Sequence, residues 1–319
     1  MHIVLVTPAP PGSRSGNRAT ANRWGRLLRA LGHQVDITTD YRGETAELMV
    51  ALHAWRSAGA IRTFSQLHPG NPLVVVLSGT DAYRYIHSHP QETLRSLALA
   101  DRIVGLHALI GDVVPPGDRH KLRIIYQSAR PVAGRNPPKH QFRVCLAGHL
   151  RDEKDPLRAA LAVRGLPATS RLQIDAYGKA HTPEWAAAAR AETLRNPRYR
   201  WHGETSHGRL RQVYRRSHLL ALTSKMEGGA NVVSEAVMAG LPVIASDIPG
   251  SVGLLGEDYP GYYPVGDTSG LRNLLLRAES DRAFYARLRT LCDSRRHLFR
   301  EQQEKHGWAM LLAELQAGR

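Results

Sequence analysis

The chain has 319 residues, of which 42% are hydrophobic and 6% aromatic, and it carries a formal net charge of +15. A length of about 100–200 residues per domain predicts two globular domains. The apolar runs, such as "PLVVVL" over residues 72–77, are far shorter than the roughly 18 residues of a membrane span, which excludes stable membrane insertion. The positive charge favours a polyanionic partner, but scattered arginines and few aromatic residues argue against a nucleic-acid-binding surface.

The first residues, "MHIVLVT", predict a buried strand. They lack the basic start, long apolar stretch and cleavage site of a signal peptide, so a cytoplasmic protein is expected. The two cysteines, Cys145 and Cys292, lie in strand-like and helical segments without the spacing of a metal or redox site. We interpret both as packing thiols and predict no cofactor.

Both halves of the chain alternate short β-branched runs with amphipathic segments, which is typical of parallel sheets covered by helices. In the first half the predicted strands are "IVLVT", "QVDITT", "LMVALH", "LVVVLS", "RIVGLH" and "LRIIY". The stretch "SARPVAGRNPPKHQ", residues 128–141, interrupts the pattern with three prolines and a glycine. The pattern then resumes with "FRVCLAG", "LQIDAYG", "RYRWHG", "HLLALTS" and "LPVIAS".

We therefore predict an α/β fold of two doubly wound, Rossmann-like domains that face each other across a cleft. Residues 1–130 form the N-terminal domain, residues 131–141 the linker, and residues 142–319 the C-terminal domain, whose last helix is able to pack back on the first domain. Ligands of open α/β sheets bind beyond the carboxyl ends of the strands. The loops that follow the strands are therefore the candidate sites.

The loop after the first strand, "TPAPPGSRSGNRATANRWGRLL", predicts an anion site. Gly12 and Gly16 allow tight turns, Asn17 is the expected helix cap, and Arg18 at the helix start is suited to a tetrahedral anion. The glycine spacing differs from the G-x-G-x-x-G pattern, so nicotinamide binding is not favoured. A purely structural role for Arg18 remains the alternative.

Two further loops in the first half are candidates for the same cleft. "LVVVLSGTDAY" ends a strand at Thr80 and Asp81, and "LMVALHAW" ends another at His53. We include His53 as a candidate catalytic residue, although a single histidine at a strand end is more often a structural group.

The loop "AGHLRDEKDPLRAA" places His149, Arg151 and Lys154 around a helix predicted to start near Pro156. Cations beside a helix N-terminus favour a pyrophosphate and can neutralise a departing diphosphate by fixed electrostatics. The chain contains no Asp-x-Asp motif, and we predict no metal. The alternative is a solvated, charged turn.

The loop "SKMEGGANVVSEAVMAG" contains two glutamates eight residues apart, Glu227 and Glu235. It predicts a strand end, a glycine turn and a helix start that can hold a phosphate, with a carboxylate one turn further in for a hydroxyl of the same ligand. The residues of that turn and helix start are Gly228, Gly229, Ala230 and Asn231. Spacing alone is not decisive, because Glu184 and Glu192 have the same interval in a run that indicates a solvated helix face.

These motifs, in this order, resemble the glycosyltransferases of the GT-B fold, in particular the large family that includes sucrose and trehalose synthases and mannosyltransferases. The resemblance implies that Glu227 meets the donor sugar, that Glu235 binds the ribose, and that "GHLRDEKD" corresponds to a clamp usually written "GRLxxEKG". His149 stands in place of the usual arginine and Asp155 in place of the usual glycine. The first domain would then bind the acceptor and the second the nucleotide sugar.

The segments "VTPAPPGSRSGNRATANRWGRLL", "VALHAWRSA", "SGTDAY", "GHLRDEKDP", "NPRYRWHGE", "SKMEGGANVVSEA" and "PGSVGLLGEDYPGYYPVGDT" are more closely similar to the selenosugar synthases of selenoneine biosynthesis. This resemblance implies transfer of N-acetylglucosamine from its UDP donor to selenophosphate. It adds Gly203, in "NPRYRWHGE", to the donor site, and Gly12, Gly16, Asn17, Arg18, Thr80 and Asp81 to the acceptor site.

Two alternatives stay open. One is sugar transfer to a lipid or polysaccharide at a membrane, which would gain from exposed apolar residues on the basic first helix, "ATANRWGRLLRALG". The other, from a different class, is a nucleic-acid-binding protein that retains the fold, motivated by the charge alone.

Overall fold

The computed structural model of the chain describes residues 1–317. Contacts divide these residues into two units. The first contains Met1–Gln127, Glu227–Ala230 and residues 301–317, and the second contains Ser128–Met226 and Asn231–Arg300. The division expected from the sequence had assigned residues 227–230 to the C-terminal domain. In the structure Gly228 packs against the backbone of Ser78 and Gly79 in the first unit. These residues are far apart in the chain, so no local sequence pattern predicts the contact.

The first unit is a parallel sheet with helices on both faces. Its strands are β1 (His2–Val6), β2 (Gln34–Thr38), β3 (Leu48–Leu52), β4 (Leu73–Val76), β5 (Arg102–Gly105) and β6 (Leu122–Ile124). They lie in the order β2-β1-β3-β4-β5-β6. Its helices are α1 (Gly16–Arg29), α2 (Ala58–Leu67), α3 (Ile86–Ser88), α4 (Pro90–Leu99) and, at the end of the chain, α12 (Glu301–Ala317), with a π-helical turn at Asp81–Tyr85.

Alternate residues of these strands point into two separate cores. On one face Ile3, Leu5 and Val50 pack with α1 and α12. On the other face Val4, Met49 and neighbouring strand residues pack with α2 and α4. Burial on both faces explains why the central strands β3 and β4 are continuously apolar, whereas the edge strand β2 alternates.

Helix α1 turns its apolar stripe inward. Trp24, Leu27 and Leu28 are at most 1% exposed, and the Trp24 ring packs edge-on against Trp308 of α12 with centroids 4.8 Å apart. Glu304 of α12 accepts hydrogen bonds from the Trp24 indole at 2.6 Å and from Arg23 Nε at 3.1 Å. The large apolar residues of this basic helix therefore belong to the core and offer nothing to a membrane surface.

The second unit repeats the architecture. Its strands are β7 (Phe142–Ala147), β8 (Leu172–Tyr177), β9 (Tyr199–Trp201), β10 (Leu219–Leu222), β11 (Val243–Ser246) and β12 (Tyr262–Tyr263), in the order β12-β11-β10-β7-β8-β9. Its helices are α5 (Arg158–Ala162), α6 (Pro183–Arg195), α7 (His207–Arg216), α8 (Asn231–Met238), α9 (Pro249–Leu255), α10 (Thr268–Ser280) and α11 (Arg282–Ser294). The predicted α/β class with two doubly wound sheets is confirmed.

Helix α6 differs from its predicted solvated face. Glu184 is exposed, but Glu192 is fully buried and contacts Arg164, Arg195 and Asn196. The hydrogen bond from Arg164, followed by those from Asn196 and Arg195, outweighs burial and lowers the pKa of Glu192 to about 2. Periodicity missed this network because Arg164 comes from another segment and Asn196 follows the last residue of the helix.

Both cysteine side chains are buried and form no disulfide, and burial raises the pKa of Cys145 to about 12. Across residues 1–317, no helix is both long and apolar enough to span a bilayer.

Candidate active site

The loop after β1 ends in a capped helix. Ser15 is the N-cap of α1, and its hydroxyl accepts the Arg18 amide at 3.4 Å. The expectation that Asn17 caps the helix is wrong, because Asn17 already lies within it. Gly12 has a φ of +80°, a left-handed conformation that favours glycine, whereas Gly16 is the first helical residue.

The guanidinium group of Arg18 has an unusual environment. Its Nε and Nη1 atoms are buried, and neither has a hydrogen-bond partner among the residues that the structure describes. A buried donor without a partner costs about 1–3 kcal/mol, and a guanidinium donor forms charge-assisted hydrogen bonds with the oxygens of an oxyanion. The arrangement suits a phosphate-like ligand.

His53, at the end of β3, lies in a strained backbone conformation. Its φ is +79°, which is unusual for a residue with a side chain and occurs preferentially at functional sites. Its Nδ1 accepts the Arg56 amide at 3.1 Å, and its Nε2 lies 2.9 Å from the Thr80 hydroxyl. In the neutral ring the proton therefore sits on Nε2 and is donated to Thr80. Because the ring is 1% exposed, we expect it to act on a ligand through Thr80.

Asp81 shapes the same loops. It is fully buried, its Oδ1 accepts both the amide and the hydroxyl of Ser78 at 2.7 Å, and its Oδ2 accepts the Ala54 amide at 2.7 Å. Asp81 has no exposed surface and both of its oxygens accept hydrogen bonds from the loops, so its predicted place in the acceptor site stays a prediction. Its contacts fix the ends of β3 and β4 relative to each other.

A pocket opens in the second unit at the carboxyl ends of β7, β8 and β10. Its lining includes Gly148, His149, Lys154, Tyr177, Thr223 and Ser224. The side chain of Lys154 runs beside Gly148, with its Cδ 4.0 Å from where a Cβ would lie. Its carbonyl accepts the Thr223 hydroxyl at 2.8 Å, which holds the lysine's backbone against β10. The structure thus brings His149 and Lys154 together.

Arg151 lies outside the lining of this pocket, with its Nε 3.8 Å from Glu153 Oε2. The helix predicted to start near Pro156 begins instead at Arg158 and has only five residues. Such a short helix has little macrodipole to offer an anion. The positive field at this pocket therefore comes from side chains rather than from a helix end.

Asp155 explains a departure from the expected motif. Its φ of 42° and ψ of 57° are left-handed, the conformation in which glycine is favoured and aspartate is one of the few tolerated alternatives. Its carboxylate accepts Arg158 Nε at 2.7 Å. The backbone shape associated with the usual glycine is thus retained here by aspartate.

We expect Asp155→Val to lower the free energy of unfolding by about 2 kcal/mol or more, because a β-branched residue is strained in this conformation. Asp155→Gly should stay within about 1 kcal/mol of the parent, since relief of strain offsets the lost ion pair. Denaturant titration measures both. Equal stability of the two variants would contradict the backbone explanation.

Helix α8 begins at Asn231, as predicted, directly after the segment Glu227–Ala230. Glu227 is 8% exposed and lies with the first unit. Glu235 lies in the second unit, where its Oε2 accepts the Tyr214 hydroxyl at 2.8 Å and its Oε1 is 3.5 Å from His207 Nδ1. Burial, and then the charge of Glu235, raise the pKa of Tyr214 well above its ordinary value, so this hydroxyl remains a donor. Sequence reasoning missed this contact of the candidate residue Glu235, because Tyr214 is 21 positions away from it.

Gly203, implied by the resemblance, follows β9 with a φ of +72°. Its carbonyl accepts the Gly178 amide at 2.8 Å, which ties the loops after β8 and β9 together. Within the described part of the chain, no three His, Cys, Asp or Glu side chains are grouped as metal ligands would be.

Comparison with known proteins agrees with this geometry. Residues 132–290, which carry the pocket and Glu235, match the family described as Glycosyl transferases group 1. This part of the chain is therefore similar to group 1 glycosyltransferase domains. No curated protein is similar enough in sequence to count as a match.

Solved structures are similar over nearly the whole chain. Sucrose-phosphate synthase from Thermosynechococcus elongatus superposes with a TM-score of 0.82 at 17% identity, covering 100% of this chain and 99% of that one. HepE from Anabaena, solved with UDP and glucose, superposes with a TM-score of 0.77 at 16% identity, covering 98% and 100%. Identities this low establish the fold alone, and the GT-B fold predicted from the motifs is confirmed.

Proposed function

We propose that the protein transfers N-acetylglucosamine from its UDP donor to selenophosphate. Selenium attacks the anomeric carbon, the bond from that carbon to the diphosphate oxygen breaks, and UDP leaves. Water then cleaves the Se–P bond, releasing phosphate and 1-seleno-N-acetylglucosamine. The family match supports glycosyl transfer, while the segments shared with selenosugar synthases motivate the donor sugar and the acceptor.

The second unit supplies the nucleotide site in this proposal. HepE has been solved with UDP and with UDP-glucose, and the corresponding fold here carries Lys154 in a pocket and Glu235 held by Tyr214. We assign the diphosphate to Lys154, His149 and Asn231 at the start of α8, and we assign Gly228, Gly229 and Ala230, together with Glu227, to the donor sugar. Arg151 and Gly203 stay at the margin of the site.

We assign the acceptor site to the first unit, and the observation that supports this part is that two nitrogens of the half-buried Arg18, Nε and Nη1, are buried without a hydrogen-bond partner among the described residues. A neutral sugar or lipid hydroxyl does not compensate the charge of a desolvated guanidinium, whereas the anionic oxygens of selenophosphate do so and accept its hydrogen bonds. An ionised selenium nucleophile also needs no proton removed before attack. His53 is accordingly assigned to orienting Thr80 rather than to general base catalysis.

The decisive experiment incubates the purified chain anaerobically with UDP-N-acetylglucosamine and selenophosphate, and follows UDP, phosphate and selenosugar by mass spectrometry. We expect all three products in equal amounts. Thiophosphate and phosphate serve as comparison acceptors, and a thermal-shift series compares UDP with duplex DNA. Absence of UDP release with selenophosphate, together with transfer to lipid or polysaccharide acceptors, would reject the proposed acceptor. Stabilisation by DNA but not by UDP would reject the enzyme altogether.

We expect Glu235→Gln to weaken UDP binding by about tenfold to a hundredfold, the loss of a charge-assisted hydrogen bond of about 1.5–3 kcal/mol. Tyr214 already uses part of the capacity of Oε2, so the ribose diol depends on Oε1 and the remaining lone pair. Calorimetric titration with UDP measures the change.

The chain offers a matched control. Glu184 has the same spacing to Glu192 as Glu227 has to Glu235, and it is exposed on α6. Glu184→Gln should bind UDP as the parent does, while Tyr214→Phe, which removes only the hydroxyl, should weaken binding severalfold. Equal UDP affinity for Glu235→Gln and the parent would remove Glu235 from the ribose site.

A further inference from the structure

Two backbone segments of the first unit meet without side chains between them. A Cβ built on Gly228 would lie 2.3 Å from the Gly79 nitrogen and 2.4 Å from the Ser78 carbonyl carbon. Conversely, a Cβ on Gly79 would lie 2.7 Å from the Gly228 nitrogen and 3.1 Å from Glu227 Cα. Real Cβ atoms essentially never come this close, and backbone atoms cannot rotate away as a side chain can.

Gly229 is constrained independently. Its φ of +143° belongs to a region that residues with side chains rarely adopt, and a Cβ there would lie 2.4 Å from Leu106 Cβ. Leu106 follows β5 and is 5% exposed, so it has little freedom to move. The segment Glu227–Ala230 is therefore seated against the loops that follow β4 and β5.

The supporting loop is itself rigid. Ser78, next to Gly79, donates its amide and hydroxyl to the buried carboxylate of Asp81, which also accepts the Ala54 amide. The position of Gly79 is thereby tied to the ends of both β3 and β4. A displacement at Gly79 would pass directly to Glu227, because the two residues touch through main-chain atoms.

We propose that Gly79 is a positioning residue for Glu227. The inference rests on the proposed function, in which Glu227 meets the donor sugar. Gly79 permits an approach that no other residue allows, and so sets the place of the Glu227 carboxylate without contacting substrate itself. Nucleotide affinity, which depends on Glu235 and Lys154 in the second unit, is independent of this contact.

The test uses Gly79→Ala in the full chain, with two readouts. Hydrogen exchange of the amides of residues 227–230 reports the contact whatever the enzyme's substrate, and we expect it to accelerate about tenfold or more. Steady-state kinetics report the role, and we expect kcat to fall by about tenfold to a hundredfold while the Kd for UDP stays within about twofold. Gly59→Ala and Gly117→Ala are controls, because a Cβ at either position meets no atom within 4 Å.

Gly228→Ala alters the same contact from the other side and should reproduce both the faster exchange and the lower kcat. Leu106→Ala removes a packing partner of Gly229 and should give smaller changes in both measurements. It provides the test if the glycine variants do not fold. Unchanged exchange in the folded variants would overturn the contact. Faster exchange with an unchanged kcat, or equal losses in kcat and UDP affinity, would overturn the positioning role. A parent protein that transfers no sugar would reject the proposed function while the exchange result still stands.

Discussion

Lys154→Ala is expected to lower kcat for sugar transfer by about a hundredfold to a thousandfold, the usual effect of removing one preorganised electrostatic contact to developing charge. Charge accumulates on the diphosphate as its bond to the sugar breaks. Lys154 lines the pocket at the ends of β7, β8 and β10, and Thr223 holds its backbone there through a 2.8 Å hydrogen bond. An interaction that is stronger in the transition state than in the bound donor affects kcat more than KM.

Steady-state kinetics with varied UDP-N-acetylglucosamine separate the two parameters. Lys139 is an exposed lysine of the same unit, and Lys139→Ala should behave as the parent. Lys154→Arg should retain part of the activity, since it keeps the charge but changes its shape. A raised KM with an unchanged kcat would make Lys154 a uniform binder of the donor rather than a stabiliser of the leaving group.

The strands were the most predictable part of the molecule. All eleven predicted runs contain a strand. The central strands β3, β4 and β10 are continuously apolar because both of their faces are buried, and β8 alternates between buried and half-buried residues. The twelfth strand, Tyr262–Tyr263, has two residues and only one strand neighbour, too little for a periodic signal. Fold class therefore followed from local pattern alone.

The candidate site was predictable in its loops but not in its contacts. The glycine turn and the start of α8 follow from local chemistry, whereas the role of Glu235 stays a prediction. Tyr214 donates its hydroxyl to Glu235, and the backbone of Gly79 packs against Gly228. Each contact joins residues far apart in sequence, so neither segment predicts it by itself. Only the folded chain determines which loop each glycine must fit.

Capping shows a subtler limit. "SGNR" offers both Ser15 and Asn17 as caps, and the two differ by two positions in where the helix begins. Ser15 is the N-cap in the structure, so Arg18 lies in the first turn and its amide donates to the Ser15 hydroxyl. The sequence therefore predicts the loop and the helix but not the residue at which the helix begins, and the role of Arg18 stays a prediction.

We expect Arg18→Ala to raise the KM for selenophosphate by about tenfold to a hundredfold, the loss of a charge-assisted contact of about 1.5–3 kcal/mol. Its Nε and Nη1 are buried donors without a partner among the described residues, so an oxyanion that binds to one of them gains a charge-assisted hydrogen bond and offsets part of the cost of desolvation. UDP affinity should be unchanged, because the nucleotide is assigned to the second unit.

Two comparisons sharpen this prediction. Arg62 is an exposed arginine on α2 of the same unit, and Arg62→Ala should leave the acceptor KM as it is. Arg18→Lys keeps the charge but replaces the planar fork with a single ammonium, so its acceptor KM should fall between those of the parent and Arg18→Ala. The measurement varies selenophosphate at saturating UDP-N-acetylglucosamine. If Arg18→Ala leaves the acceptor KM unchanged, or weakens UDP binding as much as acceptor binding, the guanidinium does not hold the acceptor, and its buried donors have a structural role in the first turn of α1.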